Sequence, residues 1–397
     1  MKLAERINRI KPSPTFAAAA RAAAMRAKGI NVIGFAQGEP DFDTPPNIKE
    51  AAYKAIREGI TKYTPVGGFD DLKDAIIQKF KRDNDLAYDR SQILVSVGAK
   101  LCIYNLAQVF FEAGDEVIVP APYWVSYTDI VLLMDAQPVI VPTSEERGFK
   151  MTPKQLKSAI TPRTKALILN SPCNPTGATY TAEELKALAE VLLQNKILII
   201  ADDIYENFVY DGTTFTSIAS LTKEIKDQTV VINGVSKTYS MTGWRIGYAA
   251  GPTELIAAMN KVQGQNISNP VSFCQKASIE ALIGPQESVK EMIVEFDRRR
   301  RYMVDRLNAM PGITCPMPKG AFYAFPNVTG LFGKKGGDKR ISNSSDVTDF
   351  LLEEVKVAVV AGSGFGDDNY IRFSYATSLE NIEKGMDRMQ EALRKLK

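Results

Sequence analysis

The chain has 397 residues, of which 45% are hydrophobic and 24% charged, and it contains no histidine. Its 49 Lys+Arg against 46 Asp+Glu leave a net charge of +3, so the composition favours neither a nucleic acid nor an anionic membrane as a partner. The lack of histidine excludes Ser-His and Cys-His catalytic pairs and every metal site that needs an imidazole ligand. Any chemistry must come from Lys, Arg, Asp, Tyr or a cofactor.

The cysteines and the start of the chain predict a cytoplasmic protein. The four cysteines lie far apart, with neither a C-x-x-C pair nor metal-ligand spacing, so we predict no metal site and no disulfide framework. No apolar run approaches the roughly 18 residues that span a bilayer. Residues 1–12 also lack the apolar segment of a signal peptide, and we therefore expect no membrane partner.

Short runs rich in Val, Ile and Leu alternate with helical patterns in the first part of the chain. The helical patterns include Leu101–Phe111 and Thr181–Asn195, the second of which opens with a capping box. The runs predicted as buried strands are Ile93–Val97, Glu116–Pro120, Ala166–Asn170, Ile197–Ala201, Thr229–Asn233 and Arg245–Ala250. This alternation predicts an α/β fold with a mostly parallel sheet covered by helices on both faces, in which ligands bind beyond the carboxyl ends of the strands.

The pattern changes from about Gly284 onward, where a long charged helix, Glu287–Ala309, is followed by mixed short strands and a closing helix. We predict a second, smaller domain that the N-terminal segment joins. The predicted units are residues 1–45, an N-terminal arm and part of the small domain; 46–285, the large domain; and 286–397, the small C-terminal domain.

Small and charged residues lie between the first predicted strand and its helix, at Gly98-Ala99-Lys100. Unpaired backbone N–H groups and the helix dipole make such a turn suitable for a phosphate, although small residues at strand–helix turns are also common without one. A cation in the first helical turn is disfavoured by the dipole, so Lys100 is expected to face a nearby anion.

Two further charged residues have a structural and a functional interpretation. Asp202 follows an apolar strand, where it either caps a helix or pairs with a cationic or protonated group. Arg372 lies in an alternating strand, where it is either a salt-bridged edge residue or a bidentate clamp on a substrate carboxylate.

A single lysine, Lys237, follows another buried strand, and Arg245 comes eight residues later. An isolated lysine is usually a solvated surface charge, whereas a lysine in a dry cleft becomes a Schiff-base nucleophile and a general base. The run Gly362–Gly366 lacks the third glycine of a dinucleotide motif, because Asp367 stands there, and no Walker motif occurs. Nicotinamide and nucleoside triphosphate enzymes are therefore poor candidates.

Taken as a set, these residues resemble the class I/II aminotransferases of the pyridoxal-phosphate fold type I superfamily. The resemblance rests on Ser171–Gly177 (SPCNPTG), Asp202-x-x-Tyr205, Ser236-Lys237-x7-Arg245 and Arg372, and it extends from Lys11-Pro12-Ser13 to Ser378. Within that family the chain is most similar to the bacterial aspartate and aspartate/prephenate aminotransferases. The resemblance implies a seven-stranded, mostly parallel sheet between helices in a large domain, a smaller α+β domain, and a homodimer with shared active sites.

The resemblance also implies a role for each residue toward pyridoxal 5'-phosphate. Lys237 would hold the cofactor covalently and move a proton, Asp202 would keep the pyridine nitrogen protonated, and Tyr205 would hydrogen-bond the 3'-oxygen. The implied cofactor-binding residues are Gly98, Ala99, Trp124, Asn174, Asp202, Tyr205, Ser236, Lys237 and Arg245, with Tyr63 of a second subunit at the phosphate. The implied substrate-binding residues are Gly38, Lys100, Trp124, Asn174 and Arg372, with Arg372 on the α-carboxylate and Lys100 on the distal carboxylate.

The implied reaction is a ping-pong transfer of the amino group of L-aspartate to 2-oxoglutarate, giving oxaloacetate and L-glutamate, and prephenate remains open as a further acceptor. One alternative is a β-eliminating or cyclising lyase on the same fold, and another is a cofactor-sensing regulator. Gln265–Pro270, Asn207 and Leu101 depart from the branch's common residues, which leaves the preference for a distal carboxylate open.

Overall fold

The computed structural model describes residues 1–336 and 339–396. Its helices are α1 (Pro14–Ala27), α2 (Pro46–Arg57), α3 (Asp70–Asn84), α4 (Ala99–Phe110), α5 (Ser126–Leu133), α6 (Pro153–Ala159), α7 (Ala182–Asn195), α8 (Lys223–Asp227), α9 (Thr253–Asn266), α10 (Ser272–Ile283), α11 (Glu287–Asn308), α12 (Ser344–Phe350) and α13 (Leu379–Arg394). Its strands are β1 (Ile33–Gly34), β2 (Ile93–Ser96), β3 (Glu116–Ala121), β4 (Gln137–Pro142), β5 (Thr164–Asn170), β6 (Leu198–Asp202), β7 (Thr229–Gly234), β8 (Gly247–Ala250), β9 (Tyr323–Ala324), β10 (Lys335–Gly336), β11 (Lys339–Arg340), β12 (Val357–Ala358), β13 (Val360–Ala361) and β14 (Ile371–Ser374).

The large sheet confirms the predicted α/β fold. Within the described residues it has seven strands in the order β2-β8-β7-β6-β5-β3-β4. The pairs from β7 to β4 are all parallel, whereas β8 runs antiparallel to both β2 and β7. The carboxyl ends of the other strands and the amino end of β8 therefore meet at one edge of the sheet.

The six predicted strands are all present, with shifts of up to two residues at their ends. The predicted strand Arg245–Ala250 was wrong at its start, because Arg245 has a left-handed φ of 56° and β8 begins only at Gly247. The sequence patterns missed β4, which lies at the sheet edge, contains Pro138 and Pro142 and is partly exposed. Proline cannot donate to a strand ladder, so its presence is compatible with an edge position but weakens the sequence signal.

Three large hydrophobic clusters form most of the core, two of them on the faces of the large sheet. The strands of the large sheet are apolar because helices cover both faces, as in β6, where every residue is buried. The third cluster joins α11, α13, β9 and β14 to residues 33–35 and 204–210. β1 pairs with β12, so the N-terminal segment packs with the C-terminal part of the chain.

The domain boundaries after residues 45 and 285 stay a prediction, and residues 337, 338 and 397 of the third predicted unit lie outside the described residues. No helix in the described part of the chain combines the length and the apolar composition that crossing a membrane requires.

Candidate active site

Lys237 lies at the sheet edge where the strands end, three residues beyond the buried strand β7. Its Nζ donates a hydrogen bond to the backbone oxygen of Gly38 at 2.6 Å. Burial lowers the pKa of Lys237 to about 8, although the nearby Glu39 carboxylate opposes that shift. A lysine with a lowered pKa is partly neutral near neutral pH, which makes its amine a nucleophile and a base. The surface-lysine interpretation is therefore wrong.

Asp202 is the last residue of β6 and is only 4% exposed. The Tyr127 hydroxyl donates a 2.5 Å hydrogen bond to its Oδ2, and burial raises the pKa of Asp202 to about 6. A turn rather than a helix follows, so the helix-cap alternative is wrong. A buried carboxylate of this kind is suited to hold a cationic or protonated group of a ligand.

Arg372 lies in β14, the middle strand of the sheet β13-β14-β9, so the edge-residue alternative is also wrong. Its Nη1 donates to Asn174 Oδ1 at 2.9 Å and its Nη2 to the Ala36 carbonyl oxygen at 2.6 Å. The guanidinium carbon is 4.6 Å from the centre of the Tyr323 ring. Arg372 Nε is buried and has no hydrogen-bond partner among the described residues, so this donor is available to a carboxylate.

The start of α4 and the start of β8 lie against each other. A Cβ on Gly98, whose φ is +78°, would lie 2.5 Å from Arg245 Nη2, and one on Gly247 would lie 2.2 Å from the backbone nitrogen of Ala99. Only glycines allow this approach, which brings the Arg245 guanidinium to the amino end of α4. The helix N–H groups and the arginine together form a favourable place for a phosphate.

Lys100 lies in the first turn of α4, as predicted, and its Nζ is 4.8 Å from the centre of the Trp124 ring and 6.0 Å from that of Phe16. Its surroundings lower the pKa of Lys100, first through burial and then through the charge of Arg245. Trp124 in turn packs edge-on against Tyr127 at 5.3 Å, which connects Lys100 to the Asp202 end of the site.

Comparison with known proteins tests the resemblance that the sequence motifs indicate. The profile of the family described as aminotransferase class I and II matches residues 30–389. The chain belongs to the class I and II aminotransferase family. It is similar to the aspartate aminotransferase of Geobacillus stearothermophilus, at 51% identity over 98% of each chain, and to the aspartate/prephenate aminotransferase of Nitrosomonas europaea, at 48% identity over 99% of this chain and 100% of the relative.

A solved structure gives the same answer for the fold of this aminotransferase. The aspartate aminotransferase from Rhizobium meliloti superposes with a TM-score of 0.97 at 46% identity, over 100% of both chains. The resemblance drawn from the sequence motifs, to a fold type I aminotransferase, is therefore confirmed.

The structure brings most of the predicted site residues of the aminotransferase together. Contacts join Gly38 to Lys237, Asn174 to Arg372, Gly98 to Arg245 and Lys100 to Trp124. Ala99 begins α4, Ser236 is buried beside Lys237, and Tyr205 follows Asp202 in the next turn. Tyr63 differs from all of these, since it lies between α2 and α3 and is 89% exposed. The roles of these residues toward cofactor and substrate stay predictions.

Residues outside the predicted set also belong to the site. The Tyr323 hydroxyl is 2.7 Å from that of Tyr205, and its ring lies beside the Arg372 guanidinium. Tyr127 holds Asp202, and the Ala36 carbonyl holds Arg372. Tyr127 and Tyr323 lie in segments that resemble the family, but no local pattern shows which residue each of them contacts.

Proposed function

We propose that this chain is an aspartate aminotransferase that uses pyridoxal 5'-phosphate, works in the cytoplasm, and transfers the amino group of L-aspartate to 2-oxoglutarate. The observation that supports this most strongly is the full-length similarity to relatives named aspartate aminotransferase, together with a partly buried lysine and a buried carboxylate at the strand ends and a buried arginine of β14 near them. Oxaloacetate and L-glutamate are the expected products.

The residues present fit the cofactor. Lys237 offers a partly buried amine with a lowered pKa, Asp202 a buried carboxylate, and Gly98 with Arg245 a phosphate site that an added Cβ would fill. When bound, pyridoxal phosphate accepts the electrons of the bond broken at Cα into its ring. Asp202 would keep the ring nitrogen protonated, Trp124 would cover the ring, and Lys237 would remove and return the proton.

Two cations suit a substrate with two carboxylates. Arg372 retains a free donor, which would bind the α-carboxylate together with Asn174, and Lys100 would bind the distal carboxylate. Because the Nitrosomonas europaea relative is named aspartate/prephenate aminotransferase, we propose prephenate as a second amino acceptor to be assayed.

We also propose a homodimer in which Tyr63 reaches the partner's site. Support comes from exposed apolar side chains on and near α2 and α10, namely Tyr53, Ile56, Tyr63, Val271 and Ile283. Mixing K237A and Y63A subunits tests this, because only a shared site lets the hybrid recover activity that neither parent has. A mixture no more active than its parents would contradict the shared site.

Absorption spectroscopy and product assays test the function directly. L-Aspartate alone should remove the visible band of the bound cofactor and yield oxaloacetate, and 2-oxoglutarate should restore the band and yield glutamate. K237A should bind the cofactor without the covalent band. A protein that releases ammonia without needing an oxo acid would instead be the alternative lyase, and one that does not bind pyridoxal phosphate would refute the proposal.

A further inference from the structure

A buried ion pair lies next to the segment that carries Asp202 and Tyr205. Lys79 of α3 and Glu206 form a salt bridge between side chains that are 3% and 5% exposed. Lys79 Nζ also donates to Asn84 Oδ1 at 2.7 Å, and Asn84 Nδ2 donates to Glu206 Oε2 at 2.8 Å. The three side chains thus form a closed ring of polar contacts.

The same carboxylate connects two of the strand ends that form the site. Glu206 follows Tyr205 directly, and its Oε1 accepts a 2.8 Å hydrogen bond from Asn233 Nδ2 in β7. Asn233 Oδ1 accepts from the backbone nitrogen of Gly234 at 2.7 Å, three residues before Lys237. Glu206 therefore joins the segment of Asp202 and Tyr205 to the segment of Lys237.

Stability alone does not account for such a pair. Removing two charges from water costs several kcal/mol per ion, and apolar replacements of buried ion pairs are often neutral or stabilising. Hydrogen bonds to an ionised carboxylate, however, are roughly twice as strong as neutral ones and hold their partners in a defined geometry. A misplacement of about 1 Å lowers an enzymatic rate by as much as about 100-fold.

We propose that Glu206, held in a salt bridge with Lys79, is a positioning residue that fixes Lys237 relative to Asp202 and Tyr205. This inference rests on the proposed function of Lys237. Among the residues that the structure describes, the other charged or titratable groups that face the pair are Asp83, 3.9 Å from Lys79; Asp203, whose pKa burial raises well above its usual range; and the hydroxyls of Tyr239 and Tyr248.

Two variants separate positioning from folding. E206Q removes the close carboxylate partner of the buried Lys79 and leaves it the more distant carboxylate of Asp83, at 3.9 Å, so both the free energy of unfolding and kcat should fall. K79M/E206Q leaves the net charge of the pair unchanged and lets Asn84 turn its amide toward the glutamine, so stability should recover. The charged link to Asn233 is still lost, and kcat should stay about fivefold or more below that of the native enzyme, with KM within about twofold.

A readout that does not depend on activity is the pH dependence of Lys237 acylation in the cofactor-free protein, followed by peptide mass spectrometry. In K79M/E206Q the apparent pKa of Lys237 should rise by about half a unit or more, because a looser strand end admits water to the amine. The pH at the midpoint of the change in the visible band of the cofactor-loaded enzyme should shift as well.

Glu116 provides a matched control at the other end of the strands, away from the site. It is also a buried carboxylate, bonded by Thr161 and Arg163 at the amino end of β3. E116Q should lower stability without changing kcat or the Lys237 titration.

A K79M/E206Q enzyme whose kcat and Lys237 pKa return to native values together with its stability would overturn the inference. Failure of the native protein to bind pyridoxal phosphate would refute the function instead, and the acylation experiment would still test the positioning.

Discussion

Replacement of Arg372 by lysine tests the carboxylate clamp most directly. An arginine side chain has five N–H donors and a lysine three. Arg372 uses two of its donors on Asn174 and the Ala36 carbonyl, which leaves three for a substrate. In R372K the same two partners leave one donor, so a bidentate carboxylate loses one charged hydrogen bond.

The expected loss follows from that count. A hydrogen bond to a charged group contributes about 1.5–3 kcal/mol, so kcat/KM for L-aspartate should fall about 10- to 150-fold. Steady-state kinetics with aspartate and 2-oxoglutarate measure this, with unfolding curves to exclude general destabilisation. R300K is the matched control, since Arg300 is equally buried but bonds Asp211 and Asp297 instead of Asn174 and the Ala36 carbonyl. A value of kcat/KM in R372K within twofold of the native one would refute the clamp.

Three further predictions concern the cofactor end of the site. Burial raises the Asp202 pKa from 3.8 to about 6, so its ionised form costs the cofactor-free protein up to about 3 kcal/mol at pH 7. D202N should therefore have a higher thermal midpoint than the native cofactor-free protein near pH 7, and this difference should shrink as the pH falls to 4. A difference that does not change with pH would contradict the raised pKa of Asp202. Y127F removes the hydroxyl that stabilises the Asp202 carboxylate. The pKa of Asp202, read from the pH dependence of the thermal midpoint, should therefore move above 6. G98A places a Cβ 2.5 Å from Arg245 Nη2 at a φ of +78°. Equilibrium dialysis should show that its affinity for pyridoxal phosphate is reduced about tenfold or more. An unchanged affinity would show that Gly98 is not part of the phosphate site.

The strands and the charged residues at their ends were predictable, because the pattern that indicates each of them is local in sequence. Apolar runs followed by small or charged residues marked β6 and β7 together with Asp202 and Lys237. The capping box at Thr181 and Glu184 forms as predicted, each side chain bonding the other residue's backbone nitrogen. Such signals depend on residues at most a few positions apart.

Contacts between distant segments were not predictable in the same way. The Tyr205–Tyr323 and Tyr127–Asp202 hydrogen bonds join residues 118 and 75 positions apart, and no periodicity encodes them. The Lys79–Glu206 pair has the same character, since each residue in isolation is typical of a solvated surface. The resemblance to a family supplied most members of the site but not the contacts that hold them.

The reversed direction of β8 has a consequence for how the chain can change in length. Gly234 at the end of β7 pairs with Gly247 at the start of β8, so the connection 235–246 is fixed at both ends by one ladder. Lys237 and Arg245 both lie within that connection. An inserted or deleted residue there would displace the lysine relative to the arginine. The connection between α6 and β5 should affect the site less, because it precedes the amino end of β5, away from both residues. Active variants of this sequence should therefore keep the length of the connection 235–246 unchanged.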